Sequence, residues 1–132
     1  MRRSPIRLAA FSLGCLLWSL CGCEETNSPG RQFSLIVEVD GEGIPEVTQI
    51  QIRGGSFGPG EAWVRPRLPF ARLLQAAGEE TVEVEIDGRA LDGIVRVRLR
   101  DDPALVADPQ VYAEGECGPG IPVCNLVVSN TF

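Results

Sequence analysis

The segments Val82-Glu83-Val84-Glu85-Ile86 and Val95-Arg96-Val97-Arg98-Leu99 alternate aliphatic residues with glutamates in the first and with arginines in the second. Successive side chains of a β-strand point to opposite faces, so a period of two indicates a strand with one buried and one exposed face. Both segments are therefore predicted to be half-buried strands.

We expect these two strands to pair with each other as an antiparallel hairpin. That register keeps their aliphatic side chains on one face and places Glu85 opposite Arg96 and Glu83 opposite Arg98. Exposed pairs of this kind contribute well under about 1 kcal/mol each. Their expected role is to fix the register and to discourage aggregation through the sheet edge.

Alternation of the same kind recurs along most of the chain after residue 32. Gly, Pro and Asp residues separate the alternating segments, as is usual at turns. The remaining strand candidates occupy residues 33–39, 48–53, 61–67, 111–116 and 123–130. About seven short strands at this spacing predict an all-β fold, an antiparallel β-sandwich over residues 33–132.

One stretch follows the helical period instead. Its apolar residues recur at i, i+3, i+4 and i+7 and are Phe70, Leu73, Leu74 and Ala77. Pro69 suits the first turn of a helix and Gly78 suits its end. A single short helix is therefore predicted within the sandwich.

The first 22 residues have the composition of a secretion signal. Arg2, Arg3 and Arg7 give a positive start, and residues 8–20 form an apolar segment. A helix that crosses a bilayer needs about 20 apolar residues, and this segment is shorter. We expect it to be removed during export.

The segment Leu20-Cys21-Gly22-Cys23 resembles the lipobox of bacterial lipoproteins. In that pattern a large aliphatic residue stands three places before the cysteine and a small residue stands directly before it. The resemblance implies a lipoprotein signal peptide over residues 1–22, cleavage before Cys23, and acylation of Cys23 with palmitate among the acyl chains. An ordinary secretory signal cleaved elsewhere is the alternative, while Cys15 and Cys21 fit the lipobox pattern less well.

Residues 23–32 are polar and show no periodicity, which predicts a lipidated flexible tether. In well-studied Gram-negative lipoproteins it is chiefly an aspartate after the lipidated cysteine that causes retention in the inner membrane. This chain has Glu24 there, so the resemblance implies a lipid anchor in the outer membrane, with the domain facing the periplasm or the cell surface.

Charge limits the choice of partners. From Cys23 onward the chain has 18 acidic residues and nine arginines, a net charge of about −9. Because such a surface repels phosphate backbones, nucleic acid is not an expected partner.

Cys117 and Cys124 remain as a pair once the leader is removed and Cys23 carries the lipid. The six residues between them include two glycines and two prolines, a composition that indicates a turn. An oxidising envelope would preserve a disulfide that closes this loop. A redox pair and a two-thiolate metal site are the alternatives, but the spacing is not Cys-x-x-Cys and the chain has no histidine to complete a zinc site.

The strand pattern resembles the immunoglobulin-like and fibronectin-like sandwiches of many bacterial surface lipoproteins. The resemblance rests on strand spacing alone. Cys117 and Cys124 are too close in sequence to form the inter-sheet disulfide of true immunoglobulin domains, so no site residues are carried over from that family.

The chain contains neither histidine nor lysine, which removes the usual bases and the Schiff-base amine. The glycine-rich residues 54–60 lack the Gly-Lys-Ser/Thr of a phosphate loop, so a loop between strands is expected there. Asp101, Asp102 and Asp108 do not have the spacing of an EF-hand loop, and turn chemistry is expected rather than a metal site.

Trp63 is the one tryptophan beyond the leader. If Ala62 and Val64 face the core, Trp63 points outward beside Arg65 and Arg67, and the three form a candidate binding strip that suits a sugar ring or a partner's surface. The alternative, which packing favours, is a tryptophan that buries its large apolar area in the core.

Two classes of function stay open. The first, which we favour, is a noncatalytic envelope module without cofactor or catalytic residues, held at the membrane by the lipid on Cys23 and binding an envelope protein or a surface polysaccharide. The second is a small carboxylate- or metal-dependent hydrolase, because two carboxylates can meet in space without a sequence signature.

Overall fold

The computed structural model describes residues 31–90 and 92–132, and the regular structure of these residues is almost entirely β. The predicted signal peptide, Cys23 and most of the predicted tether lie outside the described residues. The strands are β1 (Gln32–Glu42), β2 (Gln49–Arg53), β3 (Glu61–Val64), β4 (Phe70–Ala77), β5 (Thr81–Ala90), β6 (Ile94–Asp101), β7 (Val111–Cys117) and β8 (Ile121–Thr131). A 3-10 turn at Gly55–Phe57 is the short helical element of this part of the chain.

The eight strands form two four-stranded sheets. Sheet I has the order β4-β1-β6-β7, and sheet II has the order β3-β2-β5-β8. Every pairing within them is antiparallel. The predicted all-β antiparallel sandwich is confirmed, with eight strands rather than about seven.

The core lies between the sheets and contains the aliphatic residues of the alternating segments. Val82, Val84 and Ile86 of β5 are fully buried, as are Val95 and Leu99 of β6. The intervening glutamates and arginines point outward, as the period of two predicts. Because each strand buries one face, the outer faces of sheet I and sheet II carry the charged side chains.

The predicted helix is wrong, because Phe70–Ala77 is strand β4. Phe70, Leu74 and Ala76 are buried, whereas Leu73 is 63% exposed. A helical stripe would bury Leu73 next to Leu74. The segment instead pairs with β1 over eight residues, which satisfies its backbone groups in a ladder.

The predicted hairpin is also wrong, because β5 and β6 lie in different sheets. Glu83 and Glu85 therefore do not face Arg98 and Arg96. In sheet II the neighbours of β5 are β2 and β8, and in sheet I the neighbours of β6 are β1 and β7. Alternation identified the strands, but it did not identify their partners, because several strands carry outward acids.

Two predicted strand limits change. The strand expected at residues 61–67 ends at Val64, and Arg67 beyond it forms an isolated bridge with Glu46. The strand expected at residues 33–39 is longer, because β1 runs from Gln32 to Glu42.

Candidate functional site

The outer face of sheet I carries a groove between rows of charged side chains. β6 lies between β1 and β7, and residues that directly oppose one another across strands share a face. The arginines of β6 therefore stand between two rows of carboxylates. We call this feature the charge groove, and its charged side chains are Glu38, Asp40, Arg96, Arg98, Glu114 and Glu116.

The charge groove encloses about 440 Å³. Its two arginines are held loosely. Arg98 lies 4.0 Å from Glu38 and 3.8 Å from Glu114, and Arg96 lies 3.3 Å from Glu116. Both guanidinium groups are nearly half exposed, so their N–H groups remain accessible to a ligand.

Glu38 is held more firmly at one end of the groove. Arg100 donates two hydrogen bonds to its carboxylate, each 2.9 Å long. Hydrogen bonding to Arg100 lowers the pKa of Glu38, against a smaller opposing effect of burial and with help from the charges of Arg100 and Arg98. The same hydrogen bonds raise the pKa of Arg100. Glu38 is therefore a fixed negative charge.

The outer face of sheet II has its own cluster. Arg53 forms ion pairs with Glu83 and with Glu85, the second at 3.0 Å. Hydrogen bonds from Arg53, and then from Asn125, lower the pKa of Glu85. The acids of β5 are thus paired within sheet II rather than with the arginines of β6.

Trp63 lies on the inner side of β3, opposite Ile50 of β2. Its ring packs edge-on against Phe57 and Phe70 at centroid distances of 5.6 and 5.2 Å. Arg72 of β4, an edge strand of sheet I, covers this cluster, and its guanidinium carbon lies 5.2 Å from the centroid of the Trp63 ring. The tryptophan is half-buried and packs against the core.

The strip of Trp63, Arg65 and Arg67 does not form as one outward row. Ala62 and Val64 are the outward residues of β3, with Val64 76% exposed. The sequence placed Trp63 on the outer face only if Ala62 and Val64 faced the core, and they do not. Arg65 and Arg67 are exposed in the segment after β3, whereas the Trp63 ring packs against Phe57 and Phe70.

A disulfide joins Cys117, the last residue of β7, to Cys124 of β8. The predicted pairing is confirmed. Because β7 lies in sheet I and β8 in sheet II, the bond connects the two sheets at the corner where the chain crosses between them. Cys124 is buried, at 1% exposure, which agrees with a structural role.

Asp101 and Asp102 are buried and hold the loop between β6 and β7. Asp101 accepts hydrogen bonds from the Tyr112 hydroxyl at 2.9 Å and from the backbone N–H of Gln110 at 3.1 Å. Asp102 accepts one from the N–H of Ala104, as in an Asx turn. Within residues 31–90 and 92–132 no cluster of His, Cys, Asp and Glu has the geometry to hold a metal ion.

No family model, curated protein or solved structure matches this chain. Among the residues that the structure describes, no helix is long and apolar enough to cross a membrane. Hypotheses about function therefore depend on the geometry of the chain itself.

The carboxylates of the charge groove were missed from the sequence, although its arginines were noticed. The missed signal is the acid at every second position of β1 and β7, namely Glu38 and Asp40, and Glu114 and Glu116. These acids show the same period as Glu83 and Glu85 of β5. Only the strand order shows which acids line the groove.

Proposed function

We propose that this chain is a noncatalytic binding module of the bacterial cell envelope, anchored by a lipid on Cys23, whose charge groove binds a hydroxyl-rich surface polysaccharide. The observation that carries the proposal is the placement of exposed guanidinium groups beside carboxylates over a groove of about 440 Å³. A hydroxyl group both donates and accepts, so a sugar can use both kinds of neighbour.

Charge supports a neutral ligand. Four carboxylates line the groove against two arginines, so an anionic polymer would meet net repulsion. The arginines are held at 3.3 to 4.0 Å from their acids, distances at which most of their hydrogen-bonding capacity stays unused. The hydroxyl groups of a neutral polysaccharide can accept hydrogen bonds from these two arginines without breaking a strong ion pair within the protein.

The state of Glu38 supports a noncatalytic role. A general acid needs a raised pKa in order to hold its proton near neutral pH. The pKa of Glu38 is lowered instead, because Arg100 donates hydrogen bonds to it. The chain also has no histidine or lysine to act beside such a carboxylate.

The binding test compares two arginine substitutions in the full-length chain. Arg98→Ala removes donors from the middle of the groove and should weaken cosedimentation with polysaccharide purified from the native envelope about tenfold, which corresponds to about 1.4 kcal/mol. Arg65→Ala is the control, because Arg65 is 72% exposed and lies away from the groove beside Glu46. Equal binding by the two variants would contradict the assignment of the groove.

The anchor test uses Cys23→Ser. The lipobox resemblance implies that this variant incorporates no radiolabelled palmitate and leaves the detergent-phase fraction. Continued incorporation would show that the lipid is attached elsewhere. Because the groove lies in the folded domain, the two tests can fail independently.

A further inference from the structure

The free edge of β8 is the feature that neither the anchor nor the charge groove uses. Within the described chain β8 is bonded to β5 only. The N–H of Phe132 donates to the carbonyl of Glu80 at 2.9 Å, and the antiparallel register continues from that pair along the strand. Residues of the same parity as Phe132 therefore direct their backbone groups to β5. In the part of β8 where the register is continuous, the alternate residues, whose backbone groups point to the free edge, are Asn125, Val127, Ser129 and Thr131.

The other three sheet edges are protected. β3 is only four residues long. On β4 the backbone N–H of Gln75 donates to the Ser56 hydroxyl of the 3-10 turn, at 3.0 Å. β7 presents Glu114 and Glu116. Short length, covering and charge are the usual means by which edge strands avoid further pairing.

Among the residues that the structure describes, none of these protections is found on β8. It is eleven residues long and contains no charged residue. Its outward Val123 and Val127 are 76% and 46% exposed. The register of β8 with β5 is irregular between Ile121 and Cys124, so the regular part of the free edge runs from Cys124 to Thr131. An uncharged edge of this length is a template for another strand.

We propose that two copies of this chain associate through antiparallel pairing of their β8 strands, which joins the two copies of sheet II into one eight-stranded sheet. The strand matches itself. With Val127 on the two-fold axis, Asn125 lies opposite Ser129 of the second copy. This register forms about six backbone hydrogen bonds, and it places Val127 against Val127 of the second copy and the polar Asn125 against the polar Ser129.

Charge favours a second copy at this edge. The chain is strongly acidic, so two copies repel each other over most of their surface. On β5 the acids opposite β8 are Glu83, Glu85 and Asp87, and the side-chain amide of Asn125 donates to Glu85 and Asp87. Arg53 pairs with both Glu83 and Glu85. These partners reduce the like-charge repulsion between two copies at this edge.

The test is disulfide trapping of the full-length chain in its native envelope. Val127→Cys places two cysteines opposite each other across the axis, at a Cα separation that a disulfide can bridge. We expect a species of twice the chain mass on a nonreducing gel. Val64→Cys is the matched control, since Val64 is the more exposed valine and lies on the opposite edge of the same sheet.

The proposal requires at least about fivefold more dimer from Val127→Cys than from Val64→Cys, because only the first has disulfide geometry. Asn125→Cys in one tagged copy should also link to Ser129→Cys in another. Val127→Lys should abolish the dimer measured by light scattering in detergent, while Val64→Lys retains it. Equal trapping at both positions, a monomer in both, or a Val127→Cys adduct with a different protein would overturn it. The groove and Cys23 are not involved, so this outcome is distinguishable from failure of the proposed function.

Discussion

Glu38 shows that the surroundings of a glutamate determine how firmly it is paired in the charge groove. Its side chain is three-quarters buried, and it is bonded by both Nε and Nη2 of Arg100. Glu114, across β6, is 66% exposed and 3.8 Å from Arg98. The same residue type therefore gives a firm structural pair in one row and a loose, displaceable pair in the other.

Glu38→Gln should make the free energy of unfolding less dependent on pH in the acidic range. The pKa of Glu38 in the folded chain lies below its ordinary value of 4.5, so its pair stabilises the fold above that pH and the contribution is lost as pH falls through the lowered pKa. Urea unfolding at pH 7 should show a loss of about 0.5–1 kcal/mol in the variant, after allowance for partial exposure. The difference between the variant and the parent should shrink as the pH falls through the lowered pKa of Glu38.

Glu114→Gln is the matched control for that measurement. An exposed, long pair contributes little, so this change should cost less than about 0.5 kcal/mol at pH 7. If Glu114→Gln proved as destabilising as Glu38→Gln, the distinction between the firm and the loose pair would be wrong.

Strand β4 shows that an element can satisfy two periodicities at once. Phe70 and Leu74 are four residues apart and share a face in a helix and in a strand alike. The adjacent Leu73 distinguishes the two, because it joins the buried stripe of a helix but faces outward in a strand. The pairing with β1 decides in favour of the strand, and that partner is distant in sequence.

Two adjacent leucines test this assignment. Leu74 is 4% exposed, and Leu74→Ala should lower the free energy of unfolding by about 2–4 kcal/mol. Leu73 is 63% exposed, so Leu73→Ala should change it by less than about 0.5 kcal/mol. Denaturant unfolding measures both, and equal losses would indicate the helical stripe instead.

The β7–β8 corner supplies a second test at the level of elements. Replacing Cys117 and Cys124 with alanine together should lower the free energy of unfolding by about 2.5 kcal/mol, the chain-entropy value for a ring of about eight residues. A reducing agent should have the same effect on the parent chain and none on the double variant. A parent chain that is insensitive to reductant would show that the bond adds no stability.

Sequence reasoning identified most of these strands but not their order. The period of two marks β1, β2, β5 and β6 because each has one face in a core and one in water. Partner choice has no comparable local signal, since outward acids occur on β1, β5 and β7 alike and each could oppose the arginines of β6. The arginines of the candidate groove were thus visible in the sequence, whereas the carboxylates expected opposite them were those of β5 and not those of β1 and β7 that line the groove.

At the level of the whole molecule, the chain repeatedly changes sheet. β1 belongs to sheet I, β2 and β3 to sheet II, β4 to sheet I, β5 to sheet II, β6 and β7 to sheet I, and β8 to sheet II. Each sheet is therefore completed by strands from both halves of the sequence. Neither sheet can form its full set of pairs before the other, so one cooperative unfolding transition is expected.

Leu99→Ala tests this coupling. Leu99 is fully buried in sheet I, and its truncation should cost about 2–5 kcal/mol. Trp63 is the single tryptophan of residues 23–132, and it reports from sheet II. Its fluorescence and the far-ultraviolet circular dichroism should shift to lower denaturant together, and two separate transitions would contradict the single unit.

The position of β1 also determines how the domain responds to force. Gln32 begins a strand that is bonded to β4 on one side and to β6 on the other. A pull along this strand, transmitted through the preceding residues, loads both ladders in shear, and many hydrogen bonds must break together. An edge strand peeled from its end would lose its bonds one after another at a lower force. The domain is therefore expected to resist a pull applied at Gln32 along β1.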